Sequence, residues 1–192
     1  MYDPRIWHSR GYIPHVDPGE MTQFITFRLA DSMPQTVLAT WKEDLKNSAI
    51  TDAQLRQRIE TYLDQNYGER LLSDERIAKL VQNAILHLDG KKYRLIAWVI
   101  MPNHVHVLIV TLSGYSVSEI MHSLKSFTSH EANKILGRTG SFWFKEYFDR
   151  YIRDGKHFRA VVRYIEENPV KARLCKDPED WKYSSAFFRK GD

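Results

Sequence analysis

Residues 92–112, KYRLIAWVIMPNHVHVLIVTL, constrain the chain more than any other stretch. Two strand-like runs, 92–101 and 104–112, flank Pro102-Asn103, and both of those residues favour turns, Pro through its fixed φ and Asn through side-chain hydrogen bonds to its own backbone. A β-hairpin is the expectation. Successive strand residues point to opposite faces, so His104 and His106 project together while Val105 and Val107 face the other way. Two imidazoles inside an otherwise apolar strand fit two roles: a pair of metal ligands on a rigid support, or hydrogen-bonded histidines at the mouth of a hairpin.

The flanking sequence supplies the remaining elements. QFITFRL (23–29) alternates as a strand, and ADSMP after it is a turn. From Pro34 to Leu88 the pattern is helical, with Leu55, Ile59, Tyr62 and Leu63 at one helical spacing and Ile77, Leu80, Val81, Ala84, Ile85 and Leu88 at another. Beyond the hairpin, Ser116 and Glu119 form a capping-box pattern ahead of a stripe of Val117, Ile120, Leu124, Phe127 and Ile135. FWFKEYFDRYIR (142–153) is β-rich in composition and predicts a fourth strand. Asp154-Gly155 then leads into a last helix over 156–167, with Phe158, Val161, Val162 and Ile165 inward and Pro169 expected to stop it. The order predicts an α+β fold: a ferredoxin-like βαββαβ sheet with helices on one face, a helical insertion (34–88) after the first strand and a further helix at the end. At 192 residues, 1–192 is expected to be one domain.

Composition removes several classes of protein. No apolar run reaches the length of a bilayer-crossing helix, and MYDPRIWHSRGY has prolines and charges where a signal peptide needs an apolar core, so a cytoplasmic location is expected. The single cysteine, Cys175, provides neither an internal disulfide framework nor a cysteine-based zinc site. Net charge is only +4, but residues 138–173 hold nine Lys or Arg against five Asp or Glu, and the rest of the chain balances. Phe142, Trp143, Phe144, Tyr147, Phe148, Tyr151 and Phe158 lie in that same stretch. Cations among aromatics suit phosphates and stackable bases, or else make a solvated face over an aromatic core.

A third polar candidate comes from the last helix, in VVRYIEENPVK. Tyr164 sits roughly 100° round from the centre of the buried stripe, and Asn168 lies one turn further along the same flank. Asn is also a common helix terminator, so this pair is equally compatible with a purely structural role.

MPNHVHVLI, SLKSFTS, FWFKEYFDRYIRD, YIEENPVKARL and DWKYSS, in that order, resemble the REP-associated tyrosine transposases, a branch of the single-tyrosine transposases in the HUH (His-hydrophobe-His) nuclease superfamily. The resemblance runs from about residue 10 to 187. It implies that His104 and His106 bind a divalent metal, that Tyr164 is the nucleophile and that Asn168 is the third, polar ligand. The implied reaction cleaves single-stranded DNA beside a palindromic hairpin, leaving a 5′-phosphotyrosine bond and a free 3′-hydroxyl that later rejoins. Mg²⁺ or Mn²⁺ fits two imidazoles and a carboxamide, with Mn²⁺ the more tolerant of imidazole. A cation that offsets charge at the phosphate suits a phenol, a poor nucleophile at neutral pH. The partners implied are single-stranded or hairpin DNA, in a nucleoid-associated monomer or homodimer. An alternative is a protein of the same fold that binds hairpins without cutting them.

Other positions divide between roles. Lys125, Arg150 and Arg153 are candidates to grip the DNA backbone, or are simply solvated cations. Tyr147 and Tyr151 are rival nucleophiles without a polar ligand candidate at the right remove. Two departures from the family pattern stand out: the long helical segment 34–88, whose role is open, and RGYIPHV near the N-terminus where some relatives carry a Gly-Thr-Trp motif.

Overall fold

The computed structural model of the chain describes residues 7–9, 14–16, 21–65 and 67–190. RGYIPHV falls largely outside these residues. Two short strands, β1 (Trp7–Ser9) and β2 (Pro14–Val16), pair as an antiparallel ribbon.

The main sheet is built on the expected hairpin. β4 (Tyr93–Ile100) and β5 (His104–Thr111) pair antiparallel, and the Met101 N–H donates to the His104 carbonyl at 2.9 Å across the turn. β3 (Thr22–Arg28) lies on the other side of β5, with Thr26 opposite His106 and Arg28 opposite His104. β6 (Phe148–Tyr151) completes an antiparallel sheet of order β4-β5-β3-β6, the ferredoxin-like arrangement.

Among the described residues, six α-helices dress the sheet: α1 (Gln35–Lys46), α2 (Asp52–Asp64), α3 (Glu75–Leu88), α4 (Val117–Leu136), α5 (Gly155–Lys171) and α6 (Ser185–Lys190). The predicted capping box starts α4, where the Ser116 hydroxyl accepts from the Glu119 N–H. α3 and α4 cover one face of the sheet, burying Ile77, Val81, Ile85, Ile120 and Leu124 against Ile25, Phe27, Val105 and Val107. α5 closes the opposite face, where Val161 and Ile165 meet Phe24, Val99 and Leu108. α1 and α2 form a satellite core of their own, Leu38, Leu55, Ile59 and Leu63, that reaches the sheet through Phe148.

Two sequence expectations need correction. Only Phe148–Tyr151 of the predicted fourth strand pairs with β3; the segment before it is irregular apart from one bridge, Leu29 with Trp143. Phe142 and Trp143 spend their aromatic bulk in the α4-side core, and the Trp143 indole donates to Thr128 Oγ1 at 2.9 Å, which an alternating strand would not permit. Helix α5 also runs through Pro169 to Lys171. Proline disrupts only the bond toward the preceding turn, and the helix is ended instead by Arg173 in the left-handed region at φ 57°, after the Ala172 N–H has bonded the Asn168 carbonyl at 2.9 Å.

Candidate metal centre and tyrosine

His104 and His106 leave the sheet on the face that α5 covers, and both are fully buried. Their Nε2 atoms lie 3.1 Å apart. What stands behind each ring decides which nitrogen is free to ligate. The Asn103 amide donates to the Tyr67 carbonyl at 2.8 Å, so its Oδ1 is the atom facing His104 Nδ1, at 2.6 Å. An amide oxygen only accepts, so His104 Nδ1 must carry the proton and its Nε2 lone pair points into the site. His106 Nδ1 meets the Thr26 hydroxyl at 2.8 Å, a group that donates or accepts as the imidazole requires. This is the outer support that metal-binding histidines ordinarily have.

Two further donors converge on the same point. Asp64, the last residue of α2, brings Oδ1 to 3.7 Å from His104 Nε2, and its ligand atom and those of the two histidines all lie within 4.8 Å of one another. Asn168, fully buried on α5, places Nδ2 3.2 Å from Asp64 Oδ1 and 3.5 Å from His106 Nε2, while its Oδ1 has no hydrogen-bond partner. Turning that carboxamide over would exchange the two atoms and direct the oxygen inward. Imidazole lone pairs, a carboxylate and a partnerless amide oxygen form an acceptor-rich cluster that fits a divalent cation with borderline to hard preferences.

The electrostatics follow from burial. Desolvation pulls the His104 imidazole down to about 3 and holds His106 well below its ordinary value, with the neighbouring His104 and Arg150 adding to the effect on His106, so both rings are neutral. Asp64 is pushed up by burial and partly restored by Asn168, Lys171 and Tyr164.

Tyr164 packs its ring edge-on against His106, with centroids 5.3 Å apart, and against Phe24 at 5.9 Å. Its hydroxyl is buried and lies beside Asp64 and Asn168. Burial raises the phenol, and the charges of Glu60 and Asp64 raise it further. Arg150 closes the site from β6, its guanidinium 4.9 Å over the Phe24 ring and 4.0 Å from Glu60.

Of the residues singled out by sequence, His104, His106, Asn168, Tyr164 and Arg150 thus meet in one place, inside one chain. Arg153 is exposed beside the start of α5. Lys125 belongs elsewhere: its ammonium donates to the Phe144 and Lys145 carbonyls, each at 2.7 Å, and burial draws it down to about 8. Sequence reasoning missed Asp64, Asn103, Thr26 and Arg28. Asp64 sits in the helical insertion, and its only signal was its place one turn beyond Glu60. Arg28 is buried beside His104 in register, 3.7 Å over the Phe144 ring, where nothing in an alternating strand pattern marks a buried cation.

An antiparallel sheet carrying a histidine pair, faced by a helix that brings a tyrosine and a carboxamide to the same point, defines a ferredoxin-like protein with a metal-type donor cluster beside a potential nucleophile. The family model described as "Transposase IS200 like" matches residues 50–168, and the chain belongs to that family. A REP-associated tyrosine transposase of Escherichia coli (strain K12) is 26% identical over 109 residues, 56% of this chain and 63% of the relative, so the chain spans less than two-thirds of that protein's length. A solved REP-associated tyrosine transposase bound to a REP hairpin superposes with a TM-score of 0.61 at 21% identity, over 98% of this chain and 84% of the other, which establishes a shared fold. No helix among the described residues is long and apolar enough to cross a membrane.

Proposed function

We propose that the protein is a strand transferase for hairpin-bearing DNA, in which Tyr164 attacks a phosphodiester and holds the 5′ end as a phosphotyrosine until a 3′-hydroxyl displaces it. The observation that carries this reading is the convergence of the Tyr164 ring on His106, within a cluster whose His104 lone pair is fixed inward by Asn103. His104, His106, Asp64 and the Asn168 oxygen would hold a Mg²⁺ or Mn²⁺ ion, which when bound supplies positive charge to offset that of the phosphate.

The chain's own groups account for the remaining work. The packing of Tyr164 between Phe24 and His106 restricts the phenol's rotation and keeps it beside the donors. Arg150, braced on Phe24, lies where a phosphate oxygen can be paired, and Arg153 extends that cation surface. In the transfer, the phenol proton leaves as the O–P bond forms and the departing 3′ oxygen takes a proton. The reverse attack by a 3′-hydroxyl restores the phenol, so no nucleotide cofactor is consumed.

The test is a denaturing gel after incubation with labelled hairpin DNA and Mn²⁺ or Mg²⁺. Wild type is expected to form a covalent adduct that EDTA abolishes and Tyr164→Phe lacks. An adduct that persists in Tyr164→Phe would remove Tyr164 from its role, and tight hairpin binding with no adduct under any condition would favour a protein that binds without cutting.

A further inference from the structure

We infer that the outward face of α5, Lys156, Arg159 and Arg163 with Arg153 ahead of them, seats the sugar–phosphate backbone of the DNA whose cleavable phosphate meets Tyr164. This rests on the strand-transfer reading above and adds the path of the substrate across the molecule.

Spacings of three and four residues place Lys156, Arg159 and Arg163 along one stripe of the helix, and all three are exposed, as is Arg153. Tyr164 follows Arg163 directly and turns about 100° from it toward the sheet. A row of exposed cations is most often just a solvated face. Here the partners of the charges argue otherwise. In the C-terminal half of α5, Glu166 is ion-paired with Arg189 and Glu167 with Lys171 at 3.3 Å. In the N-terminal half, none of Lys156, Arg159 and Arg163 has an ion-pair partner among the described residues. The carboxylates Glu166 and Glu167 of α5 are thus each paired, one with α6 and one within the helix, while Lys156, Arg159 and Arg163 have no ion-pair partner among the described residues.

Arg150 and Arg153 both press the His157 imidazole downward, after its burial and against Asp154, whose carboxylate caps the positive end of α5 by accepting from the His157 N–H at 2.7 Å. Arg159 and Arg163 line a groove of about 740 Å³ between α5 and α6, in which Glu179 is the carboxylate besides Glu166 and Glu167. The stripe covers roughly 10 Å of helix axis. Successive phosphates rise about 3.4 Å along one strand of a duplex, so the stripe has the length to meet two or three of them. None of its side chains is aromatic, which points to contacts with the backbone and not to base stacking. Phosphates reach the stripe from either a hairpin stem or a flanking single strand.

The experiment measures binding by fluorescence anisotropy in EDTA, which keeps it separate from cleavage, across a range of salt concentrations. The probes are a fluorescein-labelled DNA hairpin with a single-stranded tail, the same stem without the tail, and the tail alone. The variant is Lys156→Gln/Arg159→Gln/Arg163→Gln; the control, Lys79→Gln/Lys134→Gln, removes exposed cations from α3 and α4. For the variant we expect weaker binding and a slope of log affinity against log salt shallower by about 2, from contacts worth about 0.7–0.9 each, with the control close to wild type. Loss confined to the stem or to the tail probe identifies which part of the DNA lies on the stripe. Unchanged affinity and slope in the variant, or an equal loss in the control, overturns the inference. Adduct formation with Mn²⁺ is scored separately on the same proteins. If wild type makes no adduct while binding still depends on the stripe, the strand-transfer reading fails and the backbone seat stands.

Discussion

At the scale of single residues, the donor cluster depends on side chains that never touch its centre. Asn103 is pinned by the Tyr67 carbonyl and in turn fixes the His104 tautomer, while Thr26 reaches across from β3 to His106. Removing such outer partners typically weakens metal binding 10- to 100-fold. Asn103→Ala and Thr26→Val are therefore expected to lose about that much Mn²⁺ affinity by titration calorimetry, while His104→Ala loses binding altogether. Thr26→Val preserves shape, so a melting temperature near that of wild type separates the effect on the metal from a folding defect. Mn²⁺ affinity unchanged in both outer variants would show that the histidines are oriented by packing alone.

At the scale of elements, the helical insertion is what brings Asp64 to the histidines. α2 buries Leu55, Ile59 and Leu63 in its own small core, a contribution of about 1.5–3 kcal/mol for each such side chain. The loop after it is fastened at several points: the Glu69 N–H donates to Asp31 at 2.7 Å, Arg138 pairs with Glu69 at 2.7 Å, and Tyr67 receives Asn103. Gly68 makes this path feasible. It has φ +82°, and a Cβ there would stand 2.6 Å from the Asp31 carbonyl oxygen, a backbone atom with little room to move. Gly68→Ala is expected to destabilise the fold by about 1–3 kcal/mol and to weaken Mn²⁺ binding further than the stability loss explains, because Asp64 is carried on the displaced segment. Urea denaturation paired with metal titration measures both, and full metal affinity in a destabilised variant would detach the loop from the site. The hairpin, the α3 stripe, the Val117, Ile120 and Leu124 part of the α4 stripe and the capping box could be read from sequence because each is a local pattern of period, turn or cap, whereas Phe127 and Ile135, expected on the same stripe, are exposed. Asp64 could not, since α2 shows only that its apolar face is buried and its meeting with β5 is a tertiary event. Phe142–Tyr147 has strand-like composition, but β propensity describes side chains that suit a half-buried surface, and the core took those aromatics without a ladder. Pro169 misled for a related reason: a rule about helix interiors was overridden near the end of α5, where Pro169 and Ile165 are both buried and hold the turn in place.

At the scale of the whole molecule, the sheet separates two tasks. α3 and α4 on one face supply the larger core, and α5 on the other brings Tyr164 and Asn168 over the histidines of β5. The C-terminal half of the outer edge of β4 is covered by the chain's own later residues: the Ile100 N–H donates to the Tyr183 carbonyl at 2.9 Å, the Trp98 N–H to Ser185 Oγ at 3.1 Å, and the Trp181 indole to the Ile100 carbonyl at 2.9 Å. An edge sealed this way is withheld from pairing with a second sheet. Tyr164 meanwhile rests against His106 of its own chain. Both features favour a centre in which phenol and ligands act within one copy, whatever the number of copies associated. The consequence is a complementation test on mixed variants. His104→Ala keeps its tyrosine and Tyr164→Phe keeps its donors, so a mixture of the two proteins, incubated with labelled hairpin DNA and Mn²⁺, is expected to yield no covalent adduct beyond the trace that each gives alone. An adduct appearing only in the mixture would mean that the tyrosine of one chain serves the histidines of another, which would require α5 to leave the face of the sheet on which Val161 and Ile165 hold it.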